Sequence, residues 1–515
     1  MPKRQASREM KEMKVKPMRK SRLPQLLTAG AAALLAGCSM IPRYERPAAP
    51  IAAEWPASSW MAASAQAPAG ASPAAATAPT VPAADIEWQS FFSDPKLRQL
   101  IEAALRNNRD LRVAVLNIEQ ARAQFQIRRA DQFPTVNAGL TGSRQPSANG
   151  NANGNGNGNG NRSITSTYSG GLLVTSYELD FFGRVASLKE AALAQYLATE
   201  EGRKTTQISL IAAVANTYLS LLADEELLRI TQQTLATREE SFKLSELRFD
   251  NGVTSELDFR QAESLTEAAR VSLAQLVRQR ALDQNALTLL LGQPLTGELA
   301  VALPAGQGLA DAPIMVDVPA GLPSDLLTRR PDIRQAEQQL LAANADIGAA
   351  RAAFFPRISL TASAGSASSH LSGLFKSGSY GWTLAPQLLL PIFDAGRNRA
   401  GLDSANAGRD IAVAQYEKSI QTAFREVSDA LAGRATLGEQ LRAQQVQANA
   451  EAVRYKLSDL RYQNGVASYL DLLDAQRSLF SARQAVVQIR LAQLQSQVTL
   501  YKTLGGGWKE PAPAP

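Results

Sequence analysis

The residue types that carry most protein chemistry are scarce in this chain. Its 515 residues include one histidine, His370, and one cysteine, Cys38. A disulfide within the chain is impossible, and neither a metal site nor a Cys–His catalytic pair is expected. There is no nucleophile–base set and no phosphate-cradling glycine loop, so no enzymatic activity and no cofactor are expected. His370 lies in a Gly/Ser-rich stretch and reads as a solvated loop residue. Carboxylates remain. Asp471 and Asp474 are three apart, which places both on one face of a helix. Asp471 also follows Ser468 by three, and Asp258 follows Ser255 by three, the spacing of capping acids. The chemistry open to such groups is electrostatic: holding a helix N-terminus, or offering negative charge to cations.

The element that must hold these carboxylates is written twice. LRFDNGVTSELD, Leu247 to Asp258, and LRYQNGVASYLD, Leu460 to Asp471, agree at eight of twelve positions at an offset of 213. The same offset carries Gly183-Arg184 onto Gly396-Arg397 and Leu291-Gly292 onto Leu504-Gly505, so a whole unit is repeated. Each copy has the grammar of a helical hairpin. A long apolar-periodic run ends at Asn-Gly, where Gly252 or Gly465 can close a helix in the left-handed conformation. Ser255 or Ser468 can then cap a second helix, which runs to Leu291 or Leu504 and stops at glycine. A plain structural turn accounts equally for these residues.

No proline interrupts Arg184 to Arg248 or its echo, Arg397 to Arg461. At about 1.5 Å per residue, each is a rod of about 100 Å. That is too long for a compact globule and suits a coiled-coil stalk or a tunnel wall. Ala191, Ala192, Ala194, Ala212, Ala213 and Ala215 would let helices approach closely. Before each rod the period changes. An earlier helical pattern opens at Trp88 and continues to Arg129, then breaks at Phe133-Pro134; the echo breaks at Phe355-Pro356. In Thr135 to Ser143 and Arg357 to Ala364, apolar and small polar residues alternate, as in strands. Returning strands are expected over Tyr168 to Leu179 and Tyr380 to Leu390. Strands of roughly ten residues with one apolar face fit a membrane β-barrel, with a soluble hairpin packed on the helices as the alternative. Four strands cannot close a barrel, and open sheet edges cannot face lipid. If these strands lie in a membrane, the chain must oligomerise.

The formal net charge of +7 is misleading, because residues 1–37 alone carry a net +7 and the remainder is neutral. Nucleic-acid binding therefore has no support. The leader has a basic start, an apolar run from Leu26 to Leu35 and the ending Leu35-Ala36-Gly37-Cys38, a lipobox that would place an acyl anchor on Cys38. Ser39 after it points to the outer membrane. From Pro47 to Pro82 the chain is Ala/Pro/Ser-rich and reads as an extended tether. The Asn/Gly tract Asn149 to Asn161 reads as an insertion in a tolerant exterior loop.

LPSDLLTRRPDIRQAEQQLLAANADIGAARAAFFPRISLTASAG, Leu322 to Gly365, resembles the signature of the TolC-like outer-membrane factors. Within that family it more closely resembles the lipoprotein branch serving resistance-nodulation-division (RND) efflux pumps (OprM-like, also called NodT-like). YELDFFGR, Tyr177 to Arg184, and PIFDAGR, Pro391 to Arg397, resemble the family's strand-to-helix junctions. Locally, Arg330 before Pro331 is a helix boundary. The resemblance implies a mixed fold of helices and membrane strands. Three chains with four strands each would form a homotrimeric twelve-stranded outer-membrane β-barrel, continued by a periplasmic α-helical barrel with an internal two-fold repeat. The implied divisions are a signal peptide at 1–37, an acylated tether at 38–87, repeats at 88–292 and 322–506, an equatorial linker at 293–321 and a tail at 507–515. The implied periplasmic gate comprises Leu470, Asp471, Leu473, Asp474, Tyr462 and Asp258, with the carboxylates stacked in rings; Asp471 has capping as a rival role. A TolC gate partner has no counterpart, because that basic position is Ala467. Gly252, Val253, Gly465 and Val466 are the implied tips where a periplasmic adaptor docks. The implied partners are that adaptor (a membrane fusion protein), an inner-membrane RND transporter and outer-membrane lipid. Two other readings are an exit duct for type I protein secretion and a structural envelope-spanning coiled-coil lipoprotein.

Overall fold

A computed structural model describes residues 39–52, 55, 82–146 and 164–508, apart from 305, 310, 311, 313, 314, 317 and 320–322. The leader 1–37, Cys38 and the tract Asn149 to Asn161 lie outside the described residues. In chain order the helices and strands are α1 (Trp88–Phe91), α2 (Pro95–Asn107), α3 (Arg109–Ala130), β1 (Val136–Pro146), β2 (Ile164–Leu179), α4 (Arg184–Asp250) and α5 (Glu256–Leu291). There follow α6 (Glu298–Ala302), α7 (Asp325–Arg329), α8 (Pro331–Ala352), β3 (Arg357–Ser368), β4 (Tyr380–Leu389), α9 (Arg397–Gln463) and α10 (Tyr469–Thr503). The order helix, two strands, long helix, shorter helix thus occurs twice. The rods α4 and α9 are 67 residues each and run two residues beyond the expected ends, up to the Asn-Gly pairs.

The chain divides into two units. One contains Asp131–Ser187 and Gly348–Arg399 and is built on an antiparallel sheet of order β1-β2-β3-β4. Its register sets the faces. Val136 pairs with Val174, Ala138 with Leu172, Leu172 with Ala364, Ala362 with Leu384 and Ala364 with Trp382. Side chains alternate along a strand, so this register collects most of the apolar residues on one face, Leu173 being an exception. The other face carries Asn137, Thr141, Ser169, Ser363 and Thr383. Leu140, Leu172, Trp382, Leu384 and Leu388 are all exposed. Gly171 faces Gly365 across β2 and β3, where an added Cβ would come within 2.6 Å of backbone. Strands β1, β2 and β3 extend past the predicted ends, β1 through Arg144 to Pro146, β2 from Ile164 and β3 to Ser368, where the sequence carries no clear apolar period. A bulge between Val174 and Tyr177 contains Ser176 at a φ of 54°.

The two junction motifs explain how a strand hands over to a rod within this unit. Glu178 binds Arg184 through both carboxylate oxygens, at 2.8 and 2.7 Å, and also pairs with Arg357 at 2.6 Å. Asp180 accepts the Ala186 N–H at 2.7 Å, satisfying a donor in the first turn of α4. Asp394 does the same for α9, accepting Asn398 N–H at 2.9 Å and Gly396 N–H at 3.0 Å. Those two backbone donors, Asn398 first, hold the Asp394 carboxyl below the usual range.

The second unit contains Pro42–Ala130, Leu188–Ile347 and Ala400–Pro515 and is helical. Its core gathers Phe91, Phe92, Leu100, Ile101, Tyr218, Leu287, Ile333, Tyr416 and Tyr501. Phe91 stacks on Tyr501 at 4.0 Å, and the Tyr501 hydroxyl donates to Ile86 O at 2.6 Å. The expected single helical run to Arg129 is broken twice. Asp94 caps α2 by accepting Lys96 N–H at 2.8 Å ahead of Pro95. Asn108 then leaves the helical conformation, accepts Leu111 N–H at 2.9 Å and donates to Leu290 O at 2.9 Å. Gly292 meets that corner: it has a φ of 66°, and a Cβ there would lie 2.3 Å from Asn107 O. The segment expected as a tether is docked where it is described. Tyr44 and Arg46 both donate to Glu337, at 3.0, 2.7 and 2.8 Å, and Trp55 stacks on Phe424 at 5.0 Å.

Candidate functional site

The ends of the two hairpins are built alike, from the backbone up. At the end of α4, Val253 N–H bonds Arg248 O at 2.8 Å and Gly252 N–H bonds Phe249 O at 2.9 Å. At the end of α9, Val466 bonds Arg461 O at 2.9 Å and Gly465 bonds Tyr462 O at 3.0 Å. These are Schellman closures, and Gly252 and Gly465 take φ values of 69° and 73°. In that motif the residue after the glycine usually packs back on its own helix. Here the helix positions opposite are Arg248 and Arg461, and the valines stay out: Val253 is 74% and Val466 67% exposed.

After each tip the next helix is capped. Ser468 and Asp471 form the full reciprocal box: Asp471 N–H bonds Ser468 Oγ at 3.2 Å, and Ser468 N–H bonds Asp471 Oδ2 at 3.2 Å. In the first hairpin Ser255 accepts Asp258 N–H at 3.2 Å, while Asp258 Oδ2 accepts the hydroxyls of Thr254 and Ser255 at 3.1 and 2.8 Å. Asp471 and Asp474 both point to solvent, as their spacing predicts. Asp474 is not a free carboxylate, because Arg454 of α9 donates to it. Arg454 also reaches Glu451 at 3.1 Å and Ser478 at 3.4 Å.

The apolar pair divides. Leu470 is 52% exposed, whereas Leu473 is 3% exposed and packs with Tyr469, Leu472 and Ala262 where α10 meets α5. Tyr462 accepts a hydrogen bond from Arg248, which links the end of α4 to the end of α9. The Tyr462 and Tyr469 rings lie 5.3 Å apart. The Tyr469 hydroxyl is buried without a partner; burial first, then the nearby Tyr462 and Asp258, pushes its pKa up to about 12. The structure thus brings Tyr462, Tyr469 and Arg248 together and places Asp258 within electrostatic reach.

Sequence reasoning missed Arg248 and Arg454. Arg248 sits inside the repeated motif, which was a usable signal. Arg454 and Asp474 are equally spaced from Asn464, so folding the hairpin about its turn would have paired them. His370 is exposed, as expected of a loop residue. Cys38 lies outside the described residues.

Known proteins are similar in sequence and in fold. The family model described as "Outer membrane efflux protein" matches residues 100–293 and 322–506. The chain belongs to that family. A protein named as the probable efflux pump outer membrane protein TtgC of Pseudomonas putida is 50% identical over 485 residues, covering 94% of this chain and 96% of the relative. The outer membrane protein OprJ of Pseudomonas aeruginosa is 46% identical over 476 residues, 92% of this chain and 94% of OprJ. The open state of the Neisseria gonorrhoeae MtrE outer membrane channel is a structural neighbour at a TM-score of 0.77 and 41% identity, covering 91% of this chain and 98% of MtrE. The resemblance noted from Leu322 to Gly365 therefore holds over almost the whole chain. The protein is an outer-membrane efflux channel, of a family of channel proteins rather than enzymes.

Proposed function

We propose that three copies of this chain close a twelve-stranded barrel in the outer membrane, with the helical hairpins forming a periplasmic tunnel. The assembly serves as the exit duct of a tripartite RND-type efflux system for small molecules. One observation carries the reading: the sheet has an exposed apolar face and two edge strands, β1 and β4, with no outer ladder partner among the described residues. Such edges cannot face lipid unpaired. Because all four strands are antiparallel to their neighbours, β4 of one copy can meet β1 of the next in the same antiparallel sense. Copies therefore add without breaking the ladder, and the family reading sets their number at three.

The hairpin ends then take two roles. Val253 and Val466, exposed beside Gly252 and Gly465, are the apolar tips that a periplasmic adaptor would hold, with the inner-membrane RND transporter beyond it. Leu470, Asp471 and Asp474 form the outward face of α10 that narrows the duct, with Tyr462 and Asp258 holding the two hairpins in the resting position. Leu473 supports this face from behind. An acyl chain on Cys38 and the apolar sheet face share the attachment to lipid. The repeats 88–292 and 322–506 each contribute two strands and one helical hairpin to the duct.

The test is purification in detergent followed by mass measurement and planar-bilayer recording. The expected result is a trimer that gives discrete channel openings and restores drug resistance to a strain lacking its own duct. A monodisperse monomer that never inserts into lipid overturns the reading.

A further inference from the structure

Five charged side chains are buried among the described residues: Glu201, Asp224, Arg238, Arg330 and Glu337. Four of them face an opposite charge. Glu201 has Lys204 and Arg334, at 2.9 and 3.0 Å. Asp224 lies beside Arg280, Arg330 binds Asp332 and Glu426, and Glu337 binds Arg46. Arg238 has none. It is 5% exposed, and its guanidinium donates one hydrogen bond, from Nη1 to Leu265 O at 2.9 Å. Its Nε–H has no partner. The guanidinium lies 5.3 Å from the Phe480 ring centroid.

A guanidinium stays protonated in a protein, so it cannot escape burial by losing its charge. An unpaired buried charge is costly, and a contact with an aromatic face recovers only part of that cost. The charges around Arg238 add to the problem. Arg477 repels it, pulling its affinity for the proton down together with burial, which is the larger cause. Arg238, Arg483 and Tyr455 line a cavity of about 90 Å³ with Gln476, Gln233 and Thr237, and no carboxylate lines it. Gln476 is buried and its Oε1 has no partner. Asn/Gln amide O and N can exchange places, so this amide can also offer its N–H₂ where the oxygen now has no donor. Drug-sized ligands need roughly 300–1,000 Å³, so exported cargo does not fit. The space suits one small hydrated ion.

We propose that this cavity binds a small inorganic anion of the size of chloride or phosphate, held by Arg238 and Arg483, which supplies the missing counter-charge. Its walls come from α4 of the first hairpin and from α9 and α10 of the second. A bound anion would therefore tie the two hairpins together, and movement that parts them would release it. The inference does not depend on the trimer or on the gate.

The experiment uses the purified full-length protein at fixed pH and ionic strength. Gluconate is replaced stepwise by chloride in one arm and by inorganic phosphate in another, while the unfolding temperature is followed. A specific site stabilises along a saturating curve, as binding to the folded state requires. General salt effects do not saturate and act equally on variants. The wild type should show the saturating component with at least one of the two ions, and Arg238→Met should lack it. Arg483→Gln, at an exposed position that tolerates change, should raise the half-saturating concentration about tenfold, the loss expected of one charged hydrogen bond. It keeps the test decisive if Arg238→Met does not fold. A wild type with no saturating component in either arm overturns the proposal, as does an unchanged component in Arg238→Met or in Arg483→Gln.

Discussion

Replacing Arg330 by alanine should damage the helical unit more than its place in the sequence suggests. Arg330 precedes Pro331 and, judged locally, only marks where α7 stops and α8 starts. Its side chain is 8% exposed and makes four directed bonds. Nε and Nη2 bind the two oxygens of Asp332 at 3.0 and 2.6 Å, Nη2 binds Glu426 of α9 at 2.8 Å, and Nη1 binds Thr503 O of α10 at 2.9 Å. One guanidinium thus closes the end of α10 and joins α8 to α9. Hydrogen bonds to charged groups contribute about 1.5–3 kcal/mol each, so a naive sum overshoots. Both carboxylates are about a third exposed, and water can replace part of what they lose. Removing one member of a buried ion network costs about 3–5 kcal/mol, and the partial exposure puts Arg330→Ala near about 3 kcal/mol. At roughly 2 °C per kcal/mol for a large domain, the unfolding temperature should fall by about 6 °C. Arg330→Lys should recover less than half, because a point charge cannot bridge two carboxylates and a carbonyl. Thermal unfolding of detergent-purified protein at a single scan rate measures both variants. A drop below about 1 °C for Arg330→Ala, or full recovery in Arg330→Lys, would refute the argument.

Four further outcomes follow from the charges and turns. The buried Asp224 carboxyl is pushed up to about 7, by burial first and then by its hydrogen bond to Asp283 and the charges of Asp283 and Glu225, against Arg280. An acid whose folded pKa exceeds the unfolded value of about 3.9 favours folding at low pH, and that contribution is lost as the pH rises from about 4 to about 7. Asp224→Asn should therefore lessen the loss of unfolding temperature between pH 5 and pH 7.5; an unchanged difference would refute it. Gly465→Ala meets no atom within 4 Å but must hold a φ of 73°, so it should cost about 1–2 kcal/mol of tip stability and loosen adaptor crosslinking. Val466→Asp should abolish crosslinking with stability unchanged, and undiminished crosslinking would remove Val466 from the docking surface. Arg454→Gln should raise cation selectivity and resting conductance by freeing the Asp474 charge, while an exposed pair of this kind contributes little to folding. If conductance and selectivity match the wild type, Arg454 does not mask Asp474.

What could be foreseen in this chain follows the range of the forces involved. The hairpins were legible because each rests on contacts a few residues apart: a Schellman glycine, a serine cap and an acid three residues on. The strands were legible as a period of two, but their ends were not. Pairing at Gln145 or Ser366 depends on a neighbouring strand rather than on the residue's own preference. The break at Asn108 was missed because its reason, the Leu290 carbonyl, lies far along the chain. The docking of Tyr44 and Arg46 on Glu337 was hidden in the same way.

The charged residues show the limit most clearly. Spacing correctly put Asp471 and Asp474 on one exposed helix face, yet spacing treats them as equivalent and the fold does not. Asp471 is held by its own serine, a bond that lasts as long as the first turn of α10. Asp474 is held by Arg454 from α9, a bond that lasts only as long as the two helices keep their register. Movement within the hairpin would release the charge of Asp474 and leave that of Asp471 in place. Of the two carboxylates, Asp474 is therefore the one whose exposure depends on hairpin geometry.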